Sequence, residues 1–150
     1  MDILAHESFV ECVPNFSEGA DEATLEAIAE AIAEHAGSWL LDRTADSDHG
    51  RSVYTLAGYP GRVMAAMEAA VGVALERIDM RAHDGRHPRL GAVDVIPFVP
   101  LGDTTMKQCV AGARAFAERL ADRFDLPVYL YREAARRPER HVLADVRRPG

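Results

Sequence analysis

Three apolar stripes of helical period, alternating with short runs of strand-forming residues, limit what this chain can fold into more than any other feature of its sequence. The first stripe, Leu25, Ile28, Ala29, Ile32 and Ala36, recurs at three- and four-residue spacing behind Asp21, which can cap a helix, and Gly37 follows as a stop. The second begins at Gly61 and carries Val63, Met67, Ala70, Val71, Ala74 and Ile78, ending near Asp79. The third runs through Met106, Cys109, Val110, Ala113, Ala117, Leu120 and Phe124, and Thr105 and Gln108 before it have capping-box spacing. Between the stripes lie the strand-like runs 9–13, 39–42, 52–56, 93–99 and 128–131. Pro14 should end the first run, because proline removes a ladder donor, and Pro97 puts the fourth at an edge or a bulge. The second and third runs, joined by the polar segment 45–51, suit a hairpin-like pair.

The resulting order is β-α-β-β-α-β followed by α-β. It predicts an α/β (α+β) domain, a ferredoxin-like βαββαβ sandwich with an additional helix and strand. A chain of 150 residues suffices for one hydrophobic core, and no repeat, low-complexity run or linker divides it. Residues 1–150 are therefore read as a single domain, with a loosely held, Arg-rich tail from about residue 135.

The formal net charge of -7 disfavours nucleic acid and anionic membrane surfaces as partners. No stretch approaches the ~18 apolar residues that a membrane helix needs, and the first residues carry no secretory signal pattern. Cys12 and Cys109 both fall on apolar faces and read as reduced core residues of a cytoplasmic protein.

Two loops concentrate polar groups. The segment 83–92 holds His83, Arg86, His87 and Arg89, with Arg81 close by, a cationic patch on an acidic body that suits a small carboxylate. His83 and His87 have the spacing of helical zinc ligands, but Gly85 weakens a helix and Pro88 disfavours helical backbone at His87, so no metal is expected. The segment 42–51 alternates acids in the manner of a calcium loop. A loop starting at Asp46 would need glycine where Arg51 stands and glutamate where Ala57 stands. Its two readings are a polar hairpin connection, or a site in which Asp42 and His49 line a cleft shared with His87. No phosphate-cradling Gly-rich motif, Cys-x-x-Cys pair or RNA-binding strand signature occurs.

The segments Glu11-Cys12-Val13-Pro14-Asn15-Phe16-Ser17-Glu18-Gly19, Arg51-Ser52-Val53-Tyr54-Thr55, Arg77-Ile78-Asp79-Met80, His87 through Val95 and Pro127-Val128-Tyr129-Leu130-Tyr131 together resemble the glutamate formimidoyltransferase family. The resemblance covers nearly the whole chain, and five matches in the right order make chance an unlikely source. It implies a ferredoxin-like N-terminal subdomain and transfer of a formimino group from N-formimino-L-glutamate to tetrahydrofolate, the co-substrate, in histidine breakdown. It also implies that the histidine of the His-Pro-Arg segment, His87, is catalytic, and that a C-terminal subdomain or a homo-oligomer completes the enzyme. An imidazole of ordinary pKa near ~6.5 can take the proton lost by the attacking amine and give one to the departing nitrogen. Asp42, His49, Arg51 and Arg89 are the expected substrate-binding residues, the guanidiniums for carboxylates. The chain departs from the family at Thr44, where an acid is common, and at Gly50, often asparagine. The alternative reading is a stand-alone, non-catalytic binding or assembly module of the same fold.

Overall fold

Burial alternates along the strand Arg51–Gly58: Ser52, Tyr54, Leu56 and Gly58 are buried, whereas Arg51, Val53, Thr55 and Ala57 remain partly exposed. Successive strand residues point to opposite faces, so this strand has one covered face and one open face. The same asymmetry governs the whole domain, seen in a computed structural model that describes residues 8–82 and 91–147.

Among the described residues six strands form one sheet: β1 (Ser8–Cys12), β2 (Asn15–Phe16), β3 (Ser38–Asp46), β4 (Arg51–Gly58), β5 (Val93–Val95) and β6 (Phe98–Gly102). Every pairing is antiparallel. Three long helices, α1 (Glu22–Ala33), α2 (Pro60–Arg77) and α3 (Met106–Phe124), supply the second layer, and a short α4 (Leu143–Val146) follows. The domain is thus α+β, with an antiparallel sheet and its long helices segregated to one face. The order is β5-β2-β4-β1-β6, and β3 lies on the far edge of β4.

Two prolines interrupt this sheet without shifting it. Cys12 pairs with Leu56 and Asn15 with Val53, so β1 and β2 keep one register along β4, and the carbonyl of Pro14 accepts from the Tyr54 N–H at 3.1 Å. On the other side Cys12 pairs with Phe98 and Asn15 with Val95, and the Val13 N–H reaches the Pro97 carbonyl at 3.3 Å. The strand is therefore interrupted for two residues, Val13 and Pro14, and resumes at Asn15 beyond the expected stop. Pro97 divides the expected fourth strand into β5 and β6, as its missing N–H requires.

The core lies between the sheet and α1 to α3. Val10, Cys12, Phe16, Tyr54 and Leu56 face Ile28 and Ile32 of α1, Val63, Met67, Ala70 and Val71 of α2, and Phe116 and Leu120 of α3. Tyr54 is locked twice: its ring meets Phe16 edge-on at 5.4 Å, and its hydroxyl donates to the Leu25 carbonyl at 2.7 Å. Both cysteines are buried and free. Across the outer surface of the helix layer, Glu68 of α2 pairs with Arg119 and Arg123 of α3.

Helix ends follow the sequence unevenly. Thr105 and Gln108 close the expected capping box on α3, with bonds of 3.1 and 2.9 Å. Asp21 occupies the N-cap of α1 without capping it, and its carboxylate instead accepts from the Thr24 hydroxyl at 2.5 Å. The Glu18 carboxylate gathers the backbone N–H groups of Gly19, Ala20 and Asp21, which stabilises the turn into the helix.

The expected strand at 128–131 is absent. The stretch after α3 forms no ladder, because it is bounded by left-handed backbone at Asp125 and Arg132 and Pro127 has no N–H to give. Instead Leu126 and Val128 pack onto the core, 3₁₀ turns follow at Arg132–Ala134 and Pro138–Arg140, and α4 ends the described chain. Arg147 then pairs with Asp94 of β5 at 2.5 Å, with the Asp94 side chain only 3% exposed. No helix among the described residues is long and apolar enough to cross a membrane.

Candidate functional site

Because the long helices occupy one face, the polar residues that alternate outward line up on the other. Pairing fixes the rows. Trp39, Ala57, Glu11 and Val99 form one, and Thr44, Val53, Asn15 and Val95 another. Asp42 stands beside Thr55, and Asp46 beside Arg51. The open face is therefore polar toward the β3–β4 turn and apolar at the opposite end. There Tyr59 packs its ring against Phe9 at 5.1 Å and Trp39 at 6.2 Å, and Val99 and Leu101 stand exposed.

Asp42 and Arg51 thus share a face, on neighbouring strands. His49 sits in the β3–β4 turn, where its Nδ1 lies 2.5 Å from an Asp46 carboxylate oxygen. The same carboxylate accepts from the backbone N–H of Asp48 and His49, and these bonds, the His49 imidazole first, hold the Asp46 carboxyl below the usual carboxylate range. His49 is in this way engaged with the turn that carries it. His87 and Arg89, with His83 and Arg86, lie outside the described residues. The described residues on either side of them make these hydrogen bonds. Asp79 accepts from the Arg81 backbone and guanidinium at 3.0 Å, and Ser17, only 2% exposed, donates its hydroxyl to the Gly91 carbonyl at 2.5 Å and its N–H to the Ala92 carbonyl at 2.8 Å.

Other places in the molecule offer less chemistry. A cavity of about 460 Å³ lies between β5, α3 and the segment 126–134, walled by Ile96, Phe98, Phe116, Leu126 and Leu143. Its lining is mostly apolar, and of its two carboxylates, Asp94 and Glu133, the first is paired with Arg147. Burial pushes the thiols of Cys12 and Cys109 above their ordinary range, so neither is a ready nucleophile at neutral pH. Among the described residues, no group of three or more His, Cys, Asp or Glu side chains is placed to hold a metal ion.

Sequence reasoning missed Asn15 and Glu11, which rise from β2 and β1 on the open face. The signal was present: Val10, Cys12, Pro14 and Phe16 are all buried, a period-two pattern that continues through the proline and turns Glu11 and Asn15 the other way.

The described residues thus form an α+β domain with one sheet face under the long helices and the other uncovered and partly polar. Comparison with known proteins gives it a family. A model of the formiminotransferase domain's N-terminal subdomain matches residues 9–150, and the chain belongs to that family. It is 49% identical over 140 residues to a glutamate formimidoyltransferase of Thermoplasma acidophilum, and 44% identical over 139 residues to that of Streptococcus pyogenes. To formimidoyltransferase-cyclodeaminase of Rattus norvegicus it is 47% identical over 138 residues. These matches cover 92–93% of this chain but 46% of each glutamate formimidoyltransferase and 26% of the rat protein. The chain therefore spans about half the length, or less, of the curated relatives it matches.

Proposed function

We propose that this chain acts as the N-terminal half of a glutamate formimidoyltransferase, moving the formimidoyl group from N-formimino-L-glutamate to N5 of tetrahydrofolate. The observation that carries the reading is the family match along 9–150, at 44–49% identity to proteins named for that activity. The strand order supports it: the β1/β2 line lies between β4 and the β5/β6 line, with β3 outermost, the arrangement of a ferredoxin-like unit.

In this reading the open face borders the substrates, and a second subdomain covers its apolar end at Trp39, Tyr59 and Leu101. Arg51 and Arg89 bind glutamate carboxylates in bidentate fashion, and Asp42 and His49 border the same cleft. Attack of the N5 amine on the formimino carbon forms one C–N bond and a tetrahedral adduct. His87 accepts the amine's proton and returns it to the glutamate nitrogen as the second C–N bond breaks. Asp42 favours the positive charge on the adduct.

The test is turnover of this chain, joined to a second subdomain, with tetrahydrofolate and formiminoglutamate. His87→Ala should lower kcat by about 10²- to 10⁴-fold while the unfolding midpoint stays unchanged. Substrate binding by calorimetry without any turnover rejects the catalytic claim. A second reading rests on the exposed aromatic cluster of Trp39 and Tyr59: a module that self-associates through that face, which a concentration-dependent mass in solution and no turnover would favour.

A further inference from the structure

Asn15 has a local job and a spare functional group. It stands on β2, an interior strand, with Val53 of β4 as its register partner on one side and Val95 of β5 on the other. Its side chain therefore stands between two valines on the open face. The amide Nδ2 donates to the Val13 carbonyl at 3.1 Å. A carbonyl only accepts, so this bond fixes which end of the amide is which, and it leaves Oδ1 as the acceptor. No hydrogen bond to Oδ1 is made among the described residues.

The surroundings define what Oδ1 could receive. Thr44 lies on the same row beyond Val53, two strand spacings or roughly 10 Å from Asn15. Arg51, two residues from Val53 along β4, is a diagonal neighbour at roughly 7–8 Å between Cα atoms. A flat group resting on Val53 would meet a neutral acceptor on one side, a hydroxyl on the other and a guanidinium diagonally across. We infer that Asn15 is a substrate-contacting, specificity-determining residue, whose Oδ1 accepts an N–H of the planar amidine that is transferred. This rests on the function proposed above. A neutral acceptor suits the task, because an amidine keeps an N–H to donate in either protonation state. A carboxylate at this place would instead bind the cation tightly in the ground state, lowering KM without raising kcat.

The test uses two ligands that differ in the amidine alone, N-formimino-L-glutamate as substrate and L-glutamate as competitive inhibitor, with the chain joined to its second subdomain. Asn15→Ala should lower kcat/KM for the substrate tenfold or more and change the inhibition constant of glutamate less than twofold. Asn15→Asp keeps an acceptor and should lower KM and kcat together. Equal losses for both ligands, or substrate kinetics unchanged by Asn15→Ala, would overturn the assignment and leave the enzymatic reading standing. A wild-type protein that neither binds nor turns over the substrate removes both.

Discussion

Removal of the Tyr54 hydroxyl should reverse the sign of its effect on stability as pH rises. The side chain is fully buried, and its hydroxyl donates to the Leu25 carbonyl, so at pH 7 Tyr54→Phe loses one neutral hydrogen bond, about 1 kcal/mol. Burial, the largest influence, also pushes the phenol from its ordinary 10.0 up to about 12. The folded state therefore holds this proton more tightly than the unfolded chain. The stabilisation is complete below pH 10 and drains away as pH climbs from 10 toward 12, because the unfolded phenol ionises there and the folded one does not. At 1.36 kcal/mol per pH unit the loss amounts to about 2–3 kcal/mol, which the phenylalanine variant does not suffer. Wild type should be the more stable protein at pH 8, and the two should cross near roughly pH 11. Urea denaturation followed by circular dichroism at half-unit steps from pH 8 to 11.5 reads this directly, and every other titrating group, Tyr131 included, cancels in the difference. A wild-type minus variant difference that stays flat across the range refutes the argument.

Two further outcomes follow from bonds at the edges of the site and the helix layer. Ser17→Ala leaves the Gly91 carbonyl without its donor in a buried place and should cost about 1–3 kcal/mol in urea denaturation, with faster amide exchange at Gly91 and Ala92 than at the distant Met67. Thr105→Ala removes half of the capping box of α3 and should cost ~1 kcal/mol, lowering Tm by roughly 2–4 °C for a chain of this size.

The helices were legible in the sequence because their apolar periods are long and unambiguous. Val63, Met67, Ala70, Val71 and Ala74, read as one stripe, all lie in the core. The sheet was harder to read where proline intervened. Pro14 signals an end only if the ladder cannot skip a residue, and here the pairings of Cys12 and Asn15 with β4 hold the register across it. At 128–131 the β-rich composition was overridden by tertiary packing, since Val128, with Leu126 before it, packs on the core without a strand partner. For the site, Asp42 and Arg51 stood out as charged residues, but that they share a face depends on a bulge between Leu40 and Asp42 that no local pattern announced. The glycine that replaces a common asparagine at position 50 has a backbone reason. Its φ of 60° is left-handed, a conformation that glycine adopts freely and asparagine tolerates better than most residues.

The central position of β1 also governs when the chain can fold during synthesis. Its strand, made first, is flanked by β4 and by β6, so one edge is satisfied once Gly58 has emerged and the other only after Gly102. At ribosomal speeds of ~5–20 residues per second, that interval lasts roughly 2–9 s. For those seconds the nascent protein carries an unpaired strand edge beside Val10 and Cys12, which makes this the stage at which chaperone protection counts most.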